Sequence, residues 1–216
     1  MKNETSKYLL FATWSGIIGP ALFVTVFTLE GWIRPRYNPL AQYVSALSLG
    51  ERGWIQIINF VIFGALLFGF TRAVAIAFPD GKASRWGIIL LTIISIGYFF
   101  SGPFVMDPTG STFHGKLHGI LGAIVFVLMP ITIFVFWRRF HSDSNWQFLQ
   151  GRTLVLGIIC AAVDIYFSVI SKIPFLLTSQ SPWIGLIQRG VILPFMIWVF
   201  VFALGMNSVI KKNRMT

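Results

Sequence analysis

Apolar residues fall in six long blocks, about 8–29, 54–78, 86–106, 117–137, 153–177 and 184–208, and polar positions are confined largely to the short connectors between them. A bilayer core about 30 Å thick is crossed by roughly 20 apolar residues in helical form. Within lipid every backbone polar group must be satisfied inside its own element. The pattern therefore predicts an all-α fold, a six-helix transmembrane bundle forming one domain over residues 1–216. The first block follows Lys2 and Lys7. Its apolar part, Tyr8 to Thr28, is longer than the roughly 7–15 residues of a signal-peptide core, and no A-x-A-like site follows, so it reads as a retained span.

Inside the blocks, Pro20, Pro130 and Pro194 predict kinks that neighbouring helices accommodate. Small residues mark expected packing faces: Gly16 and Gly19 in the first block, Gly64, Ala65 and Gly69 in the second, and Gly115, Gly119 and Gly122 in the fourth. Trp32, Trp54, Trp86, Trp137, Trp146 and Trp183 fall near block ends, as an interfacial aromatic belt requires. The longest connector, about 30–53, contains Asn38-Pro39 as a helix start and Gly50 as a stop. Leu40, Val44 and Leu47 would share one helical face and Gln42, Ser45 and Ser48 another, which predicts a short amphipathic helix at the membrane interface. In the connector 106–113, Asp107-Pro108 and Thr109-Gly110 are turn signals, and Ser111 or Thr112 is placed to cap the fourth helix.

Composition agrees: 56% of residues are hydrophobic and only 11% charged, and the mean hydropathy is +0.76. Soluble domains carry about 25% charged residues. The formal net charge of +10 does not point to nucleic acid, because the cations are scattered over short connectors and helix ends rather than gathered on a soluble face. It orients the bundle instead. On the N-terminal side lie Lys2, Lys7, Arg72, Lys82, Arg85, Arg138, Arg139, Arg152, Lys211, Lys212 and Arg214, eleven in all, against six on the other side: Arg34, Arg36, Arg52, Lys116, Lys172 and Arg189. That bias predicts a cell-membrane protein with both termini in the cytoplasm. Cys160 is the only cysteine, which excludes an intrachain disulfide and any Cys-based zinc or redox motif; it reads as a small buried apolar side chain.

The run Arg34-Pro-Arg-Tyr-Asn-Pro-Leu-Ala-Gln-Tyr-Val-Ser-Ala-Leu-Ser-Leu-Gly-Glu-Arg-Gly-Trp54 resembles the signature of a bacterial and archaeal membrane family known as domain of unknown function 998. The turn Ala77-Phe-Pro-Asp-Gly81 and the run from Asp107-Pro108 to Phe113-His-Gly-Lys-Leu-His-Gly119 fit the same family. The resemblance implies six spans over nearly the whole chain and brings no activity with it.

Candidate chemistry lies toward the outer side. His114 and His118 are four apart, so both imidazoles share one face of the fourth helix, as in helical zinc sites. A third ligand would have to come from Asp107, Glu51 or Asp164. The competing reading is that the histidines hydrogen-bond loop carbonyls and support packing beside Gly115 and Gly119. A bis-histidine haem is excluded, because its axial ligands approach from opposite sides and the remaining histidine, His141, lies in an inner connector. No nucleotide-binding glycine loop is present. Asp164 is the one acidic residue deep in a block, where a charge costs about 2.5–3.5 kcal/mol. Either Arg189 reaches down to pair with it, or desolvation keeps the carboxyl protonated; Ser168 and Lys172, at i+4 and i+8, extend a polar seam to the outer surface. The outer cations Arg34, Arg36, Lys172 and Arg189 suit an anionic lipid or small molecule, or else snorkel to the interface. Ser45 has no demonstrable triad partner.

These residues support three functional readings. The first is a binding or lipid-handling bundle with an outward pocket between the fourth, fifth and sixth helices, lined by His114, His118, Asp164, Lys172 and Arg189 under the first-loop helix. The second is a structural or accessory membrane protein. The third is a metal-assisted intramembrane hydrolase with zinc on the histidine pair. No internal repeat points to a transporter.

Overall fold

The computed structural model describes residues 2–215, and side chains over 8–81 and 83–212. Lys2, Lys7, Lys82 and Arg214, which contribute to the charge bias, have side chains outside the described residues. The chain is all-helical: α1 (Lys2–Ile33), α2 (Gly53–Ala77), α3 (Lys82–Phe100), α4 (Phe113–His141), α5 (Gln150–Lys172), α6 (Pro174–Gln180) and α7 (Ile184–Met215). Six segments are long and apolar enough to cross a membrane, so the protein is a multi-pass membrane bundle. Each crossing helix packs on the next in chain order, and α7 closes the ring against α1. Six crossings return the chain to the side on which it began. Both ends therefore share one face, called here the terminal face, and the longer connectors gather on the opposite face.

Backbone chemistry shortens two predicted spans. The third was expected to reach residue 106, but α3 stops at Phe100, before Gly102 and Pro103. The fifth was expected to reach 177, but α5 stops at Lys172. Pro174 disfavours helical geometry in the residue before it, and Ile173 is accordingly extended, with φ −107° and ψ 108°. The chain then makes the short α6 and folds back into α7.

Glycines set the close approaches on one side of the ring. A Cβ on Gly64 would collide with the Phe99 backbone of α3, and one on Gly16 with the Phe70 ring of α2. Toward the terminal face the interior is filled by rings. Phe202 lies 5.1 Å from Phe136 and 5.0 Å from Phe140, and Phe78 lies 4.6 Å from Trp146, centroid to centroid. Arg139 covers this cluster, its guanidinium 5.2 Å from the Phe78 centroid, with Nε donating to Ser84 Oγ at 3.0 Å. Trp146 is therefore a core residue and not part of the expected belt, whereas Trp32, Trp54, Trp86 and Trp183 are exposed as a belt requires.

The largest departure is the first connector. In place of an interfacial amphipathic helix, it forms a single 3₁₀ segment, Val44–Ser48, whose Val44, Ser45, Leu47 and Ser48 are all buried. Asn38 builds a turn in place of a helix start: its Oδ1 accepts from Leu40 N at 3.0 Å, and Gln42 Oε1 accepts from Asn38 N at 2.7 Å. Gly50, at φ +71°, ends the segment in the left-handed region that glycine tolerates. The loop dips into the mouth of the bundle because Arg189 and Gln188 of α7, with Arg34 at its own start, hold its backbone there.

Candidate functional site

Those anchors are well defined. Arg189, at the start of α7, donates through Nη1 to Pro39 O (2.6 Å), Gln42 O (3.0 Å) and Gly185 O (2.9 Å), and through Nη2 to Tyr37 Oη (2.6 Å). Tyr37 in turn donates toward Tyr43 O at 3.0 Å. Burial pushes the Tyr37 hydroxyl above its ordinary pKa, although the Arg189 cation beside it pulls the other way, so it remains a neutral donor. Gln188 Oε1 accepts from Val44 N at 2.8 Å. On the other flank Glu30, buried in α1, accepts from Arg52 Nε at 2.7 Å and Nη2 at 2.8 Å and from Arg34 Nη2 at 3.1 Å. Arg34 Nη1 also donates to Leu49 O at 3.0 Å. Gly185 packs directly under the Gln42 backbone, which leaves no room for a Cβ.

This placement corrects two expectations. Arg189 is not the partner of Asp164, because its donors are held by loop carbonyls at the far face. Arg34 and Arg189 are likewise not free for an anionic ligand; their charges fasten the connector. Arg36 is exposed, at φ +63°, and Lys172 is exposed at the end of α5.

Beneath the pinned loop lies a cavity of about 440 Å³, lined by residues of α2, α3, α4, α5, α7 and the loop itself. A volume of several hundred Å³ with few polar groups is typical of small-molecule sites. Its body is apolar, formed by Phe60, Val125, Phe126, Phe167 and Ile192. The polar groups on its wall are Ser45, Tyr98, Ser101, His118, Ser168, Ser171, Lys172 and Gln188. Ser45 Oγ faces Met106 Sδ at 3.5 Å and makes no hydrogen bond with either histidine. His118 Nδ1 lies 2.8 Å from Phe104 O. A carbonyl only accepts, so Nδ1 carries a proton; in the neutral tautomer this leaves the lone pair on Nε2. The Tyr98 hydroxyl, in a side chain only 4% exposed, has no hydrogen-bond partner. Lys172 forms no ion pair or hydrogen bond among the described residues.

The remaining candidates stand apart. His114 is exposed and lies against Phe104, 5.7 Å between centroids, off the cavity wall. Asp107 turns into its own loop, accepting from the amides of Thr109 (2.9 Å), Ser111 (3.0 Å) and Thr112 (2.8 Å). These bonds, with Thr112 N–H first, hold its carboxyl well below the usual carboxylate range. Thr112 then caps α4, its hydroxyl accepting from Gly115 N at 3.1 Å, as expected. Glu51 is exposed. Asp164 is buried with Oδ1 unpartnered, one turn beyond Ser168 toward the terminal face, and is not on the cavity wall. Among the described residues no group of three His, Cys, Asp or Glu side chains gathers to hold a metal ion.

The chain matches, over residues 17–205, the family described as "Protein of unknown function (DUF998)". The chain belongs to this family. No curated protein and no solved structure matches it. The part of this DUF998 protein that matches its family contains the whole pinned loop and every residue of the cavity wall, from Tyr43 to Ile192.

Several cavity residues were missed by sequence reasoning. Tyr98 and Gln188 lie inside apolar blocks, where a single polar tip is a weak signal. Gly119 and Gly122 were assigned to helix packing, yet nothing lies within 4 Å of where a Cβ would stand at either.

Proposed function

We propose that this protein binds a lipid or small anionic ligand in the cavity under the pinned loop. The observation that carries this reading is the pairing of an apolar chamber of about 440 Å³ with one uncommitted cation, Lys172, on its wall. The chamber suits an acyl or other apolar moiety, and the ammonium suits a phosphate or carboxylate group. His118, on the same wall, adds an imidazole for orientation. The positive-inside bias supports a cell-membrane location with both termini cytoplasmic and the cavity toward the outer face.

Native mass spectrometry of the full chain, released from membranes in mild detergent, tests the reading. Wild type is expected to carry a retained anionic ligand, and Lys172→Glu to lose it. Lys116→Glu, a charge change on the same face but off the cavity wall, is expected to retain it. Equal retention by all three chains would reject the reading. Orientation is tested separately by thiol labelling of single cysteines at Thr109 and Ser142, with Cys160 buried and silent.

A second reading, an accessory protein that presents a rigid outer loop to a partner, is favoured by the way Glu30 and Arg189 commit their charges to holding that loop.

A further inference from the structure

The cavity walls are unequal. Above, the roof is the loop held by Arg189, Gln188 and the Glu30 network, and Leu186 N donates to Leu40 O at 2.9 Å to close its edge. Below, the aromatic cluster fills the bundle. Sideways, the wall between α4 and α5 changes along its length. Toward the terminal face the two helices touch: a Cβ on Gly157 would stand 3.0 Å from Ile133 and 3.2 Å from Phe134. Toward the other face α4 presents Gly119, Gly122 and Ala123, with nothing within 4 Å of a Cβ on either glycine, while α5 presents Ser168 and Ser171. Small side chains of both helices thus border one gap, and Lys172 stands at its outer end. Inside it, the wall is apolar, carried by Phe126, Phe167 and Ile192. An apolar chamber bordered by such a gap, with one unpaired ammonium at its outer end, is complementary to an amphiphile with an anionic head.

We propose that the gap between α4 and α5 is a lateral portal through which an anionic membrane lipid slides from the bilayer into the cavity. This rests on the binding reading above and commits it to a lipid rather than a water-borne solute. The acyl chain lies along Phe126, Phe167 and Ile192, and the headgroup anion sits at Lys172. The roof is pinned over the cavity, and the gap lies within the apolar segments of α4 and α5.

The full chain is reconstituted in phosphatidylcholine vesicles containing a minor fraction of phosphatidylglycerol with a photoreactive acyl chain. Cross-links are expected on the peptides carrying Gly119–Val127 and Phe167–Lys172. Gly122→Phe, which fills the gap, is expected to lower them about tenfold, and glycerol phosphate in the buffer to leave them unchanged. Should Gly122→Phe fail to fold, Ala123→Cys is folded first and then blocked with a membrane-permeant benzyl thiosulfonate; cross-linking is expected to fall only after blocking. Cross-links that survive the blocked gap, or that glycerol phosphate competes away, overturn the portal and leave cavity binding standing. No cross-links on either peptide overturn both.

Discussion

The half of the bundle near the chain ends is solid with interlocking rings, whereas the half under the pinned loop encloses about 440 Å³ of space. Both halves are built from the same six helices. The difference lies in what each turn carries inward. Near the terminal face those are Phe78, Phe136, Phe140, Trp198 and Phe202, all at most 1% exposed. Near the other face α4 carries Gly119 and Gly122, and the loop supplies roof rather than filling. The solid half closes the ring chiefly by ring packing, with Arg139 over its end. The hollow half needs polar fasteners to keep its shape, and these are Glu30 with its two arginines and Arg189 with its four oxygen acceptors. A membrane protein can thus hold a cavity open by placing rigidity in its floor and roof rather than around its wall.

The largest expected effect falls on the solid half. Phe202→Ala removes a ring within 6 Å of those of Phe70, Phe78, Phe136, Phe140 and Trp198, and should cost about 3–5 kcal/mol of unfolding free energy in detergent. Phe126→Ala, on the cavity wall, should cost about 1 kcal/mol, since space already borders it. Equal losses in denaturation curves would erase the contrast between the halves.

Next in size is the roof. Arg189→Met strips Pro39 O and Gln42 O of their donor and should cost about 2–3 kcal/mol. Hydrogen exchange over residues 37–49 should rise in step. Arg189→Lys should recover little, because one ammonium cannot span the four acceptors of the planar fork. Unchanged exchange in that loop would mean that Arg189 is not its fastener.

Glycines then sharpen the comparison at a single-atom scale. Gly64→Val forces a side chain into the Phe99 backbone and should destabilise by about 1–3 kcal/mol or more. Gly122→Ala faces open space and should be neutral or raise stability by about 0.4–1 kcal/mol. A matching pair of thermal shifts would show that α4 packs as tightly as α2.

The smallest effect is on the connector beside the cavity. The folded loop holds the Asp107 carboxyl below its ordinary pKa. Its contribution is therefore complete above about pH 4 and is withdrawn as pH falls below that. Amide exchange at Thr109, Ser111 and Thr112 should speed up on acidification beyond intrinsic rates. Asp107→Asn should be faster already at neutral pH and lose this dependence. Identical pH profiles for the two chains would remove Asp107 as the organiser of the turn.

Six helices, their order and the cap at Thr112 could be read from the chain because each depends on residues close in sequence: twenty apolar positions, a proline, a hydroxyl before a helix. Family membership was equally local, carried by the run from Arg34 to Trp54. His118 stood out by its four-residue spacing from His114, and Lys172 by its place at i+8 from Asp164. Only the folded bundle decided their surroundings. Arg189 meets Pro39 some 150 positions away rather than Asp164, because the first connector folds inward onto the start of α7. The glycines of α4 border empty space although their spacing matches a packing stripe, because no neighbour comes within 4 Å of them, unlike at Gly157. Periodicity shows which side of a helix is small or apolar. Whether a neighbour, a loop or a void lies opposite depends on how all the helices close around one another, and no single segment encodes that.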